Sequence, residues 1–149
     1  MPKLNKQVKQ VKQNNISLNS RNLQKMGQDV IIKFLEMLNL IKLYHWKTYQ
    51  YSTHKATDEL YSRLNKNFDD FVERMLGKSK ERVDLMKVKS IALYDLKDVK
   101  ELIKKVKIFQ TYLINMNKKL DPYLDSDLLN IRDEILGDLN QFLYLLTLC

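Results

Sequence analysis

The residues of this chain with the clearest capacity for chemistry lie between positions 45 and 73: two histidines followed by an ordered run of carboxylates. His54 and Asp58 are four apart, and so are Asp69 and Glu73. On a helix each such pair shares a face. The two pairs are offset by eleven residues, three turns to within about 20°. Counting 100° per residue from His54, Asp58 falls near ~40°, Asp69 near ~60° and Glu73 near ~100°, so four potential metal ligands form one stripe. Imidazole and carboxylate donors together suit iron. Leu60, Tyr61, Leu64, Phe68, Phe71, Val72 and Met75 occupy the adjoining sector, between about 240° and 360°, as the apolar face.

One helix cannot close such a site. Asp58 and Asp69 are ~16 Å apart along the axis, whereas a metal–ligand bond is about 2 Å long. A second copy running antiparallel solves the problem. His54 and Glu73 share their midpoint, between Arg63 and Leu64, with Asp58 and Asp69. A two-fold axis there would place His54 and Asp58 of one chain beside Glu73 and Asp69 of the other, twice over, as an isologous dimer does.

The order His-Trp, His-x3-Asp, x10-Asp-x3-Glu within residues 44 to 78 resembles the mini-ferritin family, Dps, the DNA-binding proteins from starved cells, some of which are carried by large DNA viruses. A looser similarity of helix order extends from about 20 to 147. The resemblance implies a ferritin-like fold, a short helix in the connection between the second and third helices, and assembly into a homo-oligomer, a shell of twelve in the family. It also implies a ferroxidase centre shared across a dimer seam, with His45, His54 and Asp58 from one chain and Asp69 and Glu73 from the other. His54, Asp58, Asp69 and Glu73 would carry the oxidation of Fe²⁺ by peroxide or oxygen. Trp46 would pack near the metal, placed to intercept oxidising radicals. One departure falls on His45. The family's histidines are usually about twelve positions apart, here they are nine apart, and the Gly-Pro of that turn is missing.

Around these residues the sequence predicts four long helices in one domain spanning 22–149. Met26, Val30, Ile31, Phe34, Leu38 and Ile41 form a helical stripe that His45 continues. That helix is expected to begin after Ser20 or Asn22, both good caps. The second is expected over about 53 to 77, capped by Ser52 or Thr53 and ended by Gly77. A short helix is expected around Glu81 to Val88. The third should run from about Asp95 to Lys119 with Leu96, Val99, Ile103, Val106, Leu113 and Leu120 inward, stopped at Asp121-Pro122. The fourth should run from Asp125 or Ser126 to about Leu146, with Leu128, Ile135, Leu139, Phe142 and Leu146 inward. An all-α four-helix bundle follows. With 44% hydrophobic residues but only three Gly and two Pro, the composition agrees.

Residues 1–21 are expected to be a flexible basic tail. Lys3, Lys6, Lys9 and Lys12 recur every third residue, Arg21 follows, and no acid occurs before Asp29. Of the net charge of +8, six positive charges precede Asp29. Such a segment can neutralise DNA phosphates; as an alternative it solubilises or guides assembly. The single cysteine, Cys149, excludes an intrachain disulfide and fits a reducing compartment. The chain lacks an apolar run long enough for a membrane span and a signal-peptide core. A soluble intracellular protein, cytoplasmic or packaged in a virion, is expected. Three kinds of function fit: a Dps-like ferroxidase and iron-sequestering protein with a DNA-contacting tail; a structural, DNA-packaging protein on the same fold without the chemistry; or a helical interaction module whose carboxylate stripe forms salt bridges to Lys or Arg of a neighbour. The Glu-x-x-His pairs of the usual di-iron bundle are absent, as are zinc-finger and Walker motifs.

Overall fold

A computed structural model describes residues 2–148, with side chains from residue 5 onward; Cys149 and the side chain of Lys3 lie outside the described residues. All regular structure among them is helical: α1 (Pro2–Lys47), α2 (Tyr51–Ser79), α3 (Val99–Asn115), a 3₁₀ turn over Met116–Lys118, and α4 (Ser126–Leu146). One core joins them. Leu23, Val30, Phe34 and Ile41 of α1 meet Leu64, Phe68, Phe71 and Met75 of α2, with Val106, Phe109 and Leu113 of α3 and Leu128, Ile135 and Leu139 of α4. Phe34 is its hub, stacked on Phe68 at 4.1 Å and edge-on to Phe71 and Phe109. Such aromatic contacts add to the burial of apolar area. The α1–α2 pair and the α2–α4 pair are the most extensively packed. No described helix is long and apolar enough to cross a membrane.

The largest departure from expectation is the start of α1. It begins at Pro2, not after Ser20 or Asn22. Ser20 does not cap its own helix. Its hydroxyl donates to the Ser79 carbonyl at 3.0 Å, and Gln24 Nε2 donates to the same oxygen at 3.3 Å. The two side chains therefore satisfy the C-terminal end of α2. One residue earlier, Asn19 Nδ2 donates to Asp125 Oδ1 at 2.9 Å. N-terminal to Asn19, the described side chains of α1 are exposed, among them Val8, Val11, Ile16 and Leu18. The basic segment expected as a tail is helical and projects past the end of the bundle.

Helix α2 passes through Gly77 and ends at Ser79, where Lys80 takes the left-handed conformation (φ 62°) and donates its N–H to the Leu76 carbonyl. Its N-cap is Gln50, not Ser52 or Thr53. The short helix expected around Glu81–Val88 is not formed. Residues 80–98 hold only bends and one turn, in which Asp84 Oδ1 accepts from Met86 N at 2.9 Å. That side chain offers the backbone an alternative to helix. Helix α3 starts three to four residues later than expected. Asp98 is its N-cap, accepting from Glu101 N at 3.0 Å, while the Glu101 carboxylate accepts from Lys97 N at 2.7 Å. The fourth helix keeps its expected limits.

Buried Asp125, immediately before α4, is a junction. It accepts from Asn19 of α1 and from Asp121 N, and lies 3.7 Å from Lys78 Nζ of α2, which also meets Asp127 at 2.5 Å. Hydrogen bonds from Leu124 N and Tyr123 N lower the pKa of Asp121. At Asp127, partial burial acts upward, but the Lys78 ammonium together with the Asp127 and Leu128 N–H groups outweighs it, and the net shift is down.

Candidate metal centre

The turn between α1 and α2 is only three residues long, 48 to 50, so the end of α1 faces the start of α2. His45 and His54 meet across it, stacked with ring centroids 3.9 Å apart and planes 23° apart. Each is held by the other's backbone. His45 Nδ1 lies 3.0 Å from the His54 carbonyl oxygen, and His54 Nδ1 lies 3.0 Å from the His45 carbonyl oxygen. A carbonyl oxygen accepts only, so each Nδ1 carries the hydrogen, and in the neutral ring Nε2 is the acceptor. Metal-ligating imidazoles are characteristically held in this way, with the outer N–H on a backbone carbonyl.

The Asp58 carboxylate completes this arrangement, with Oδ1 4.0 Å from His45 Nε2. Two donors that each sit about 2.1 Å from one ion are separated by at most about 4.2 Å. His45 is buried, His54 half-buried and Asp58 exposed, so the group opens to the surface. Thr57 supports it from below. Fully buried, it donates from Oγ1 toward the Thr53 and His54 carbonyls at 2.8 and 2.9 Å, and it lies 3.3 Å from His45 Nδ1. Sequence reasoning missed Thr57. Its one signal was a hydroxyl three residues after His54 in an otherwise apolar register.

Asp69 and Glu73 are exposed further along the same helix, beginning ~16 Å from Asp58 by helical rise. Among the described residues, no three His, Cys, Asp or Glu side chains of one chain form a group that could hold a metal ion. The structure stacks His45 on His54 and sets Asp58 4.0 Å from His45 Nε2, short of a three-ligand group, and it leaves Asp69 and Glu73 apart, as the one-helix geometry requires. Between the two sets, Ser62 and Asn65 are exposed and placed symmetrically about the shared midpoint. Arg63 and Leu64 point elsewhere. Arg63 donates to Gln141 and Asp138 of α4, and Leu64 is fully buried. Beside Asn65 and Asp69 runs a groove of about 230 Å³ floored by Phe34 and Phe68 and edged by Ile31, Leu35, Leu38 and Val72.

Trp46 follows His45 in the last turn of α1 and lies at the surface. It is 69% exposed, with Lys42 Nζ 5.8 Å from its ring centre. Tyr49 and Tyr51 are also exposed at the same turn. Of the basic residues expected to contact DNA, Lys6, Lys9, Lys12 and Arg21 are exposed on α1. A period of three on a helix turns successive lysines by about 60°, so Lys6, Lys9 and Lys12 wind around α1 rather than forming one stripe.

Four helices around one core, with a histidine pair and a carboxylate at the mouth of their first turn, define an all-helical protein with a candidate metal-binding surface. The chain belongs to a family of unknown function (DUF5856), whose pattern matches residues 45–146, from the first histidine to the end of α4. Neither the curated proteins nor the solved structures searched contain a match.

Proposed function

We propose that this protein is a Dps-like ferroxidase, a ferritin-like bundle that binds Fe²⁺ as substrate at a seam between two copies and oxidises it. The observation that carries this reading is the reciprocal lock of His45 and His54, which turns both Nε2 atoms away from the backbone and sets that of His45 4.0 Å from Asp58. Two imidazoles and one carboxylate are a donor set suited to ferrous iron. The second half-site would be Asp69 and Glu73 of a partner copy. Exposed Ser62 and Asn65 at the crossing point favour close approach of two α2 helices, and the apolar groove alongside gives a partner something to bury. Exposed Trp46, Tyr49 and Tyr51 beside the histidines add aromatic surface of the kind enriched at interfaces.

In the reaction, two Fe²⁺ give up one electron each, and peroxide takes both with two protons to form two waters. The chain's part is to hold the imidazoles by their Nδ1–H groups, with Nε2 turned toward the iron, and to set the carboxylates beside them. The basic N-terminal helix would supply a salt-sensitive hold on DNA, and closed assembly, up to a shell of twelve, would allow iron storage.

The test is ferrous oxidation, followed by ferric absorbance after adding Fe²⁺ and peroxide. Wild type should oxidise iron well above the protein-free rate, and Asp58→Ala and Glu73→Ala should fall to background with unchanged circular dichroism. Equal rates in wild type and Asp58→Ala would refute the ferroxidase and leave the structural, DNA-packaging role as the better reading.

A further inference from the structure

A second site is carried by the contact between α1 and α3. These two helices do not close on each other as α1 and α2 do. Between them lies a cleft of about 180 Å³, with Met37 and Leu40 of α1 and Phe109 of α3 among its apolar lining. Such unfilled space is unusual beside a close-packed core, where apolar side chains normally interdigitate. Ile108, on the rim, is 54% exposed rather than turned in.

The rest of the lining is aromatic and charged. Tyr94, from the 80–98 connection, and Tyr112, from α3, contribute ring faces. The Tyr112 hydroxyl is committed outside the cleft, donating to Asp29 at 2.9 Å, and burial with that bond raises its pKa, so it stays neutral. Three charged side chains line the cleft. Glu36 is neutralised, 3.2 Å from Lys33 Nζ and accepting from Ala92 N at 3.3 Å. Lys105 has no carboxylate partner among the described residues; its ammonium sits 3.7 Å from the centre of the Tyr94 ring. A cation over one ring face keeps donors to spare. The lining therefore carries one uncompensated positive charge.

We propose that this cleft is a binding site for a small aromatic monoanion, a flat apolar body bearing one carboxylate. The ring would lie against Phe109 and the tyrosine faces while the carboxylate meets Lys105. Concave, mostly apolar clefts with a small number of well-placed polar groups are the usual form of small-ligand sites. The cleft shares no lining residue with the histidine site, so the proposal stands independently of iron oxidation.

The experiment titrates the full-length, assembled protein with 2-naphthoate and with its neutral counterpart 2-naphthalenemethanol, read by calorimetry and saturation-transfer NMR. We expect 2-naphthoate to bind with a Kd of roughly a millimolar or tighter. Lys105→Met, which keeps the length of the side chain but removes its charge, should weaken the acid about tenfold and leave the alcohol unchanged. Ile108→Trp, at an exposed rim position, should cover the mouth and abolish binding of both. The proposal is overturned by silence in the wild type, which is also the result if a second copy plugs the cleft. It is overturned equally by unchanged acid affinity in Lys105→Met, or by binding that survives Ile108→Trp with an unaltered melting profile.

Discussion

Mixing two variants expected to be inactive tests whether the proposed iron ligands cross a subunit seam. Asp58 lies on the exposed side of α2 near its start, and Asp69 and Glu73 share that side about three and four turns later. At 1.5 Å per residue the Asp58–Glu73 separation is ~22 Å, too far for one ion or one bridged pair. An antiparallel partner would bring Glu73 of one copy beside Asp58 of the other. A homodimer of Asp58→Ala, or of Glu73→Ala, then lacks a ligand in both sites. A mixed dimer differs. One of its sites takes His54 and Asp58 from the Glu73→Ala chain and Asp69 and Glu73 from the Asp58→Ala chain, and is complete. Its other site lacks two ligands. Random reassembly makes half of the dimers mixed, each with one good site of two, so about a quarter of wild-type ferrous oxidation should return. The assay is initial ferric absorbance after the variants are dissociated together and reassembled, with subunit exchange verified by mass labels. Activity no higher than either parent, despite verified exchange, would refute the shared-seam geometry.

Further outcomes are expected. Leu64→Ala, at a fully buried position where α2 meets the core, should cost about 2–5 kcal/mol in chemical denaturation; a cost near zero would contradict the packing. Acid should weaken the end of the bundle where Asp121, Asp125 and Lys78 meet. The folded pKa values of Asp121 and Asp127 are lowered, so their stabilisation is full above the unfolded value of 3.8 and is lost as pH falls through the folded values. Denaturation midpoints should therefore drop below about pH 4, and Asp127→Asn should flatten that dependence. Replacing Lys6, Lys9 and Lys12 by Gln should weaken duplex DNA binding and reduce its log–log salt slope by about 2.7; an unchanged slope would remove the DNA role of the N-terminal helix.

How much of this could be read from the sequence depended on whether local and tertiary signals agreed. In α4 they did. Asp125 and Ser126 precede a regular apolar series from Leu128 to Leu146, and the helix has those limits. The apolar face of α2 was equally legible, from Leu60 to Met75. The start of α1 was not. Composition marked residues 1–21 as a one-sign, weakly hydrophobic tail, yet Lys and Gln are good helix formers and Pro2 sits in the first turn, where proline is tolerated. Ser20 carried a misleading signal, because a cap residue can serve a neighbouring helix. In α3, the expected inward series included Val99 and Ile103, which are only half-buried, and omitted Leu102 and Phe109, which are buried. Lys80 in a left-handed turn leaves no glycine by which to find the end of α2.

The least legible feature was the function of the short spacing between His45 and His54. From sequence, nine positions where the resembling family has about twelve looked like damage to the site. In the fold, the same shortness is what lets the histidines hold each other. His45 lies in the last turn of α1, where carbonyl oxygens have no intrahelical donor, and His54 Nδ1 supplies one. His54 lies in the first turn of α2, close enough for its own carbonyl to receive His45 Nδ1. A longer turn would give each ring another partner or none. The two bonds that orient the imidazoles also join the ends of α1 and α2, so site and fold share the same atoms. His54→Ala should therefore remove a ligand and uncap α1 together, lowering the melting temperature as well as iron oxidation. Asp58→Ala, exposed and outside that lock, should affect oxidation alone.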